Sequence, residues 1–244
     1  MALLDARSVS VAYGGLQALR AVDVAVEAHQ IVGLLGPNGS GKTTLFNVLS
    51  GLRPPTSGDV WLGGERITRL PAWAIARRGI GRTFQIPQPF PRLRVRDNVA
   101  VGVTFRRRDP LRTGADRMRE VERLLATVGL TDKADTPARE LSLGERKRLE
   151  LAVALSTRPI LLLLDELASG LSPRGREEVI RFYARLRERG LTIFAIEHSF
   201  AVLAEVADRV LVLDQGAVIA DGAPRDVFQS PRLARAYLGD EEGE

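Results

Sequence analysis

The segment that most constrains the fold is residues 36–43, which reads GPNGSGKT and matches the pattern Gly-x4-Gly-Lys-Ser/Thr. It follows the apolar run IVGLL and opens a segment with apolar residues at positions 45, 46, 48, 49 and 52, which is helical spacing. Glycines let backbone N–H groups curl toward phosphate oxygens, and the helix N-terminus adds positive potential. The sequence therefore predicts a phosphate-binding loop between a buried strand and a helix.

This loop predicts a nucleotide and a magnesium ion. We expect Lys42 to reach the β- and γ-phosphates and the Thr43 hydroxyl to ligate Mg²⁺. Kinases, GTPases, helicases and transport ATPases all carry such a loop. GTP-binding proteins usually read guanine with Asn-Lys-x-Asp, and the chain has no Asn-Lys pair, which favours ATP. The candidate nucleotide-binding residues of the segment are Gly36, Pro37, Asn38, Gly39, Ser40, Gly41, Lys42, Thr43 and Thr44.

Composition narrows the class of protein. With 244 residues, 45% of them hydrophobic, the chain can bury one sizeable core. It has no cysteine, which excludes disulfides and fits a cytosolic protein, and Asp5 and Arg7 stand where an export signal would be apolar. The net charge of +5 leaves nucleic acid, an anionic membrane surface or arginine-favouring codons open. The dense cluster Arg106, Arg107 and Arg108 is expected to be a solvated loop.

The order of patterns predicts an α/β fold with an insertion. Alternating residues from 7 to 35 indicate three strands. Helical spacing from Met118 to Val128, with Gly129 placed to cap it, and a helix start at Ser142 predict a helical insertion over about residues 88–156. Strand and helix then alternate, which is typical of a parallel sheet with helices on its faces.

Two apolar strands end in candidate catalytic residues. ILLLLDE ends in Asp165 and Glu166, and LTIFAIEH ends in His198. Parallel strands bring their carboxyl ends to the edge where the phosphate loop lies, so Asp165 can hold Mg²⁺ and Glu166 can accept a proton from the attacking water. His198 would lie at the same edge, within reach of the γ-phosphate. His29 is interpreted as an ordinary surface or core histidine.

The stretch LSLGE places a small glycine turn at the start of a helix. Ser142 and Glu145 form the S-x-x-E pattern of a capping box. The turn also leaves N–H groups available to an anion. If the helical insertion stands away from the core, the anion bound at this turn does not come from the chain's own phosphate loop. A second copy of the protein, arranged head to tail, could supply it.

The motifs GPNGSGKTT, RTFQ, LSLGE, LLLLDE and IEH, in that order, resemble the ATP-binding-cassette (ABC) transporter ATPases over essentially the whole chain. The resemblance implies one ATPase domain over residues 1–244. Its RecA-like P-loop core covers about residues 1–87 and 157–244, with an antiparallel β portion, and its helical subdomain covers about residues 88–156. It also implies ATP hydrolysis with Mg²⁺, and a dimer in which each ATP lies between one subunit's P-loop and the other's LSLGE turn.

The resemblance assigns further roles. Tyr13 resembles the aromatic residue that stacks on adenine, with ordinary strand packing as the alternative. Gln85 resembles the glutamine that contacts Mg²⁺ and the attacking water. Ser142 and Gly144 would bind the γ-phosphate of the partner's nucleotide. Phe90 and Leu93 resemble the groove that receives a coupling helix from a membrane subunit; a proline-rich surface loop is the alternative.

The chain departs from the family pattern near the site. Leu143 and Glu145 replace a glycine and a glutamine of the signature turn, Leu167 replaces a proline, and Ser172 replaces an aspartate. Each departure is expected to affect turnover or communication between sites without removing a ligand of the nucleotide.

Within the family, the stretch from residue 79 to 102 and the ending ARAYLG resemble the ATPases of branched-chain amino-acid importers. This implies a peripheral subunit on the cytoplasmic face of the membrane, a homodimer or a heterodimer with a related ATPase, transmembrane permease subunits and a periplasmic or extracellular solute-binding protein. No specific nucleic acid is expected as a partner. The alternative is a nucleic-acid-associated ABC ATPase that is not coupled to transport.

Overall fold

The computed structural model describes residues 2–105, 113–167 and 173–238. The arginine cluster at 106–108 and Ser172 lie outside these described residues. The chain divides into two compact units: Met1–Ile75 with Glu166–Glu244 form the first, and Ala76–Asp165 form the second. One short helix, α2 (Ala72–Arg78), includes residues of both.

An antiparallel sheet forms one part of the first unit. It consists of β1 (Leu4–Tyr13), β2 (Leu16–Val26), β4 (Ser57–Leu62) and β5 (Glu65–Arg66), in the order β2-β1-β4-β5. The alternating apolar residues of β1 and β2 are buried on one face, as the sequence pattern predicts.

A mostly parallel set of strands forms the other part of the first unit. β3 (Ile31–Leu35) pairs in parallel with β8 (Thr192–Ile196) and β9 (Arg209–Asp214), and β10 (Ala217–Gly222) is antiparallel to β9. Every residue of β3 and β8 is buried. The helices of this unit are α1 (Lys42–Leu49), α6 (Pro173–Glu188), α7 (Phe200–Val206), α8 (Pro224–Phe228) and α9 (Pro231–Leu238).

The last three helices pack on the strands through one apolar cluster. Leu203 of α7, Val227 of α8 and Leu233 of α9 are all buried and belong to the same cluster as Leu35 of β3. Burying a side chain of this size stabilises the fold by about 1.5–3 kcal/mol. Helices α7, α8 and α9 are therefore held against the strand that leads into the glycine-rich loop.

The second unit combines two parallel strands with three helices. β6 (Ile80–Arg82) pairs with β7 (Leu161–Asp165), and the helices are α3 (Val95–Phe105), α4 (Gly114–Val128) and α5 (Leu143–Ser156). Short 3-10 turns at Thr131–Lys133 and Ala138–Glu140 connect α4 to α5.

Helix α4 confirms the boundary predicted from its pattern. Thr113 and Asp116 close a capping box at its start, and Gly129 ends it at φ 66°, a left-handed conformation that glycine adopts without strain. Val121 is buried with the other apolar residues of its face, whereas Met118, the fifth residue of the helix, is 41% exposed.

Helix α1 is shorter than its apolar spacing predicts. It ends at Leu49, and Ser50 caps it. Gly51 follows at φ 71° and packs so closely that an added Cβ would lie 2.7 Å from the Ile75 side chain. The chain leaves the helix there, so Leu52 is 51% exposed and does not belong to the buried face.

Candidate nucleotide-binding site

The glycine-rich loop lies between β3 and α1, in the predicted strand–loop–helix context. Lys42 is buried, and its ammonium group donates hydrogen bonds to the carbonyl oxygens of Gly36 (2.7 Å) and Pro37 (2.9 Å). The lysine therefore closes the loop into a ring. No side chain caps the N-terminus of α1. Its first-turn N–H groups thus face a position suited to an anion.

Two glycines of the loop are required by the surrounding structure. At Gly36, with φ 152°, an added Cβ would lie 2.1 Å from the Leu213 carbonyl oxygen. At Gly41, with φ 108°, it would lie 2.6 Å from the Ala18 carbonyl oxygen. Both atoms belong to the backbone and cannot move aside cheaply. Gly39, at φ 81°, has open space around it, so only its backbone conformation favours glycine there.

A tyrosine from the last helix contacts the start of the loop. The Gly36 N–H donates a 3.0 Å hydrogen bond to the Tyr237 hydroxyl. The Tyr237 ring packs edge-on against Phe200, which packs edge-on against Phe228. Burial raises the pKa of Tyr237, although the hydrogen bond from the Gly36 N–H opposes this effect. Sequence analysis missed this contact, because it joins residues 201 positions apart and no local pattern marks it.

Glu166 and His198, which were predicted to lie at the same sheet edge, are in direct contact. His198 Nε2 and Glu166 Oε1 are 2.7 Å apart. The Glu166 N–H donates to the Ile196 carbonyl oxygen at the end of β8, and this ties the glutamate to the strand that precedes His198. Glu166 adopts φ 54°, which costs a non-glycine residue roughly 1–2 kcal/mol. The strain is local to the proposed catalytic carboxylate.

Glu197, the residue before His198, is also fixed by hydrogen bonds. Glu197 precedes His198, is 1% exposed and accepts a 3.1 Å hydrogen bond from the Tyr183 hydroxyl. The Glu197 N–H donates to the Leu34 carbonyl oxygen of β3. His198 is thus positioned by the backbone of the same strand that leads into the glycine-rich loop.

Asp165 and Gln85 lie in the second unit. Asp165 is 3% exposed, and its N–H donates to the Thr83 hydroxyl at 3.0 Å. The Arg82 guanidinium lies 3.8 Å from the Asp165 carboxylate. Gln85 is exposed in the irregular segment after β6. Sequence analysis did not predict the roles of Thr83 or Arg82.

The donor set fits magnesium bound together with a nucleotide. Among the described residues, no group of three or more His, Asp or Glu side chains is placed to hold a metal ion. Mg²⁺ prefers oxygen ligands and usually takes one or two carboxylates together with substrate phosphates. The buried carboxylate of Asp165 and the exposed hydroxyl of Thr43 have this chemistry.

Tyr13, at the end of β1, is 42% exposed, so it is not an ordinary core residue of the strand. The Arg53 guanidinium carbon lies 3.8 Å from the centre of its ring, and Arg53 also donates to the Ala12 carbonyl oxygen. A stacked arginine fixes the ring plane and leaves an aromatic surface suited to a second flat, π-rich group. The Arg53 contact is a further feature that the sequence pattern did not predict.

The LSLGE turn forms the predicted capping box. The Glu145 carboxylate accepts from the Ser142 N–H and hydroxyl, both at 2.8 Å, and the Ser142 hydroxyl accepts from the Glu145 N–H. These bonds lower the pKa of Glu145. Leu143 is 63% exposed, and an added Cβ at Gly144 would meet no atom of the described residues within 4 Å beyond its chain neighbours and its own helix backbone. The hydrogen bonds of the cap are therefore made within the turn itself, and its outer surface is exposed.

Three comparisons place the chain among known proteins. The family model described as ABC transporter matches residues 19–169. The branched-chain amino acid transport ATP-binding protein BraF of Pseudomonas aeruginosa is 36% identical over 98% of both chains, and LivG of Escherichia coli is 36% identical over the same shares. The lipopolysaccharide export system ATP-binding protein LptB of Escherichia coli is 35% identical over 99% of both chains.

Solved structures agree in fold. The ADP conformation of MJ1267, an ATP-binding cassette of an ABC transporter, matches with a TM-score of 0.87 and 28% identity, over 98% of this chain and 100% of that one. The dimeric post-hydrolysis cassette MJ0796, bound to ADP and Pi, matches with a TM-score of 0.83 and 26% identity, over 91% of this chain and 99% of that one.

No helix among the described residues is long and apolar enough to cross a membrane. The P-loop fold, the strand-end carboxylates and full-length similarity to transporter ATPases lead to one conclusion: this chain belongs to the ABC transporter family and is an ATP-binding, ATP-hydrolysing subunit.

Proposed function

We propose that this chain is the ATP-hydrolysing motor subunit of an ABC importer for branched-chain or related amino acids, bound peripherally at the cytoplasmic face of the membrane. The observation that carries the motor role is the 2.7 Å contact between Glu166 and His198 in the unit that holds the P-loop. The similarity to BraF and LivG over nearly the full chain supports the amino-acid solute.

The P-loop side of the site binds the nucleotide and carries out the chemistry. Adenine stacks on Tyr13, and Lys42 exchanges its two carbonyl partners for the β- and γ-phosphates. Glu166 accepts a proton from the attacking water. The water oxygen bonds to the γ-phosphorus while the bond between the γ-phosphorus and the leaving oxygen of ADP breaks. His198, hydrogen-bonded to Glu166, moves to the γ-phosphate and holds it in line for attack.

Magnesium supplies charge neutralisation on the phosphates when it is bound with ATP. The Thr43 hydroxyl, the Asp165 carboxylate and the Gln85 amide oxygen would hold it. Gln85 would contact both the cation and the attacking water. Its segment continues to the exposed side chains of Phe90 and Leu93, which are proposed to receive a permease helix.

A second subunit completes the nucleotide-binding site. Ser142 and Gly144 of the partner subunit donate to the γ-phosphate and stabilise the charge that develops on it. The partner is a second copy or a related ATPase. In this proposal residues 1–244 form one ATPase domain, with its core at about 1–87 and 157–244 and its helical subdomain at about 88–156. Closure of the dimer pulls on the permease subunits. A solute-binding protein delivers the amino acid.

Transport in a reconstituted system tests this proposal. The chain is purified together with candidate permease subunits and placed in liposomes, with labelled leucine as solute. We expect ATP-dependent leucine uptake that needs the solute-binding protein. Lipopolysaccharide extraction without leucine uptake would instead favour the export role, which the similarity to LptB suggests as the second candidate.

A further inference from the structure

Helix α5 carries a buried carboxylate that contacts the segment around Gln85. Glu150 lies eight residues after Ser142 and is 8% exposed. Its Oε2 accepts a 3.0 Å hydrogen bond from the Phe84 N–H, and its Oε1 accepts a 3.3 Å hydrogen bond from the Gln88 N–H. One side chain therefore binds the backbone on both sides of Gln85.

Backbone donors are scarce in this segment. Pro87 and Pro89 have no N–H, so between residues 84 and 90 only five backbone donors exist. Glu150 accepts from two of them, and the Asn98 side chain of α3 accepts from the Phe90 N–H at 2.8 Å. The backbone is held from two helices, while the side chains of Ile86 and Phe90 are 74% and 55% exposed.

A carboxylate at this position is costly for the fold. Burial raises the pKa of Glu150 and Asp165 adds to that effect, whereas the two backbone N–H groups and Arg82 oppose it. An apolar side chain on α5 would avoid this desolvation cost, but it would leave the Phe84 and Gln88 N–H groups without the acceptor that Glu150 provides. The carboxylate is therefore better explained by what it holds than by helix stability.

We propose that Glu150 is a positioning residue that couples the Gln85 segment to the helix that begins at the Ser142 turn. This inference rests on the proposed function, because it assumes that both the segment and the turn act in the ATPase cycle. A displacement of the turn moves α5, and the two hydrogen bonds of Glu150 carry that displacement to the backbone on either side of Gln85.

The variant Glu150→Gln tests the anchor, meaning the two hydrogen bonds from the Phe84 and Gln88 N–H groups to Glu150, with little change in the shape of the side chain. A glutamine offers one acceptor oxygen and one NH₂ group, so one of the two N–H groups loses its partner and faces another donor. We expect amide hydrogen exchange at Phe84 or Gln88 to become about tenfold faster or more, as for loss of one buried hydrogen bond. We expect kcat for ATP to fall several-fold, with KM within a factor of two, because Tyr13 and Lys42 are untouched.

Glu122→Gln, an exposed position on α4, is the matched control and should change neither quantity. The thermal unfolding midpoint of each variant separates local loosening from general unfolding. Should Glu150→Gln not fold, Glu150→Met removes both acceptor oxygens and places an apolar side chain of similar length at this position. The same exchange and kinetic effects are expected.

Unchanged exchange at Phe84 and Gln88 would overturn the anchor. Faster exchange with wild-type kcat would overturn the coupling role. A separate variant, Gln85→Ala, tests the proposed function itself: wild-type turnover there, combined with faster exchange in Glu150→Gln, would count against the role of Gln85 and leave the anchoring by Glu150 in place.

Discussion

The P-loop and the Ser142 turn are both glycine-containing starts of helices, but they differ in why glycine is present. At Gly36 and Gly41, an added Cβ would lie 2.1 and 2.6 Å from backbone carbonyl oxygens of the same chain. At Gly144, which belongs to a regular helix, an added Cβ would meet no described atom within 4 Å outside its chain neighbours and the backbone of its own helix. The fold explains the glycines of the P-loop and does not explain Gly144.

The difference indicates where each turn finds its phosphate. Glycine in a helix costs up to about 1 kcal/mol relative to alanine, and no contact among the described residues requires it at Gly144. A ligand that approaches the backbone closely would require it. This is the arrangement expected if the turn meets the nucleotide of a partner subunit.

The largest effect is expected on the P-loop side of this comparison. Glu166→Gln keeps the size of the side chain and its contact with His198 but removes the proton acceptor. We expect steady-state ATP hydrolysis to fall by about 10²–10⁴-fold while ATP affinity stays within a few-fold of wild type. Phosphate release and nucleotide binding, measured on the same preparation, check both parts. Wild-type turnover would contradict the role of Glu166.

Alanine at the two kinds of glycine should act in opposite directions. Gly36→Ala is expected to destabilise the chain by about 2–4 kcal/mol, because the Cβ meets a backbone carbonyl oxygen and the backbone conformation is strained. Gly144→Ala is expected to stabilise the isolated chain by up to about 1 kcal/mol and yet to lower ATP turnover. Urea unfolding and an ATPase assay measure the two effects. A destabilised Gly144→Ala would show that the chain itself requires this glycine.

The smallest effect is expected in the capping box. The hydrogen bonds from Ser142 lower the pKa of Glu145, so the ionised carboxylate stabilises the fold above its unfolded pKa of about 4.3. That contribution is lost as the pH falls through the lower folded value. The urea midpoint of wild type should therefore fall more steeply than that of Glu145→Gln between pH 6 and pH 3. Parallel pH profiles would show that the charge adds nothing to the cap.

Local patterns predicted a large part of this structure. The strand–loop–helix around Lys42, the capping box at Ser142 and the cap at Gly129 all depend on residues close in sequence, where spacing and glycine placement decide the outcome. The placement of His198 at the same sheet edge as Glu166 was also expected, because parallel strands bring their carboxyl ends to one edge, but the direct contact between the two side chains was not.

The contacts that were missed depend on packing between distant segments. Tyr237 meets Gly36 only because the apolar cluster that includes Leu203 and Leu233 holds the last helices on β3. Glu150 contacts Phe84 across 66 residues, and in sequence it is simply a glutamate on a helix with other charged residues. Helical spacing also failed at Leu52, because the close packing at Gly51 ended the helix first.

A mixing experiment tests the central claim that each nucleotide is shared by two subunits. One variant, Lys42→Ala, has a damaged P-loop and an intact turn; the other, Gly144→Asp, has the reverse. Each alone should be nearly inactive. If the site is shared, the mixed pair contains one intact P-loop facing one intact turn, and the mixture should hydrolyse ATP well above the sum of its parts. A mixture no more active than that sum, with mixed pairs shown to form, would contradict the claim.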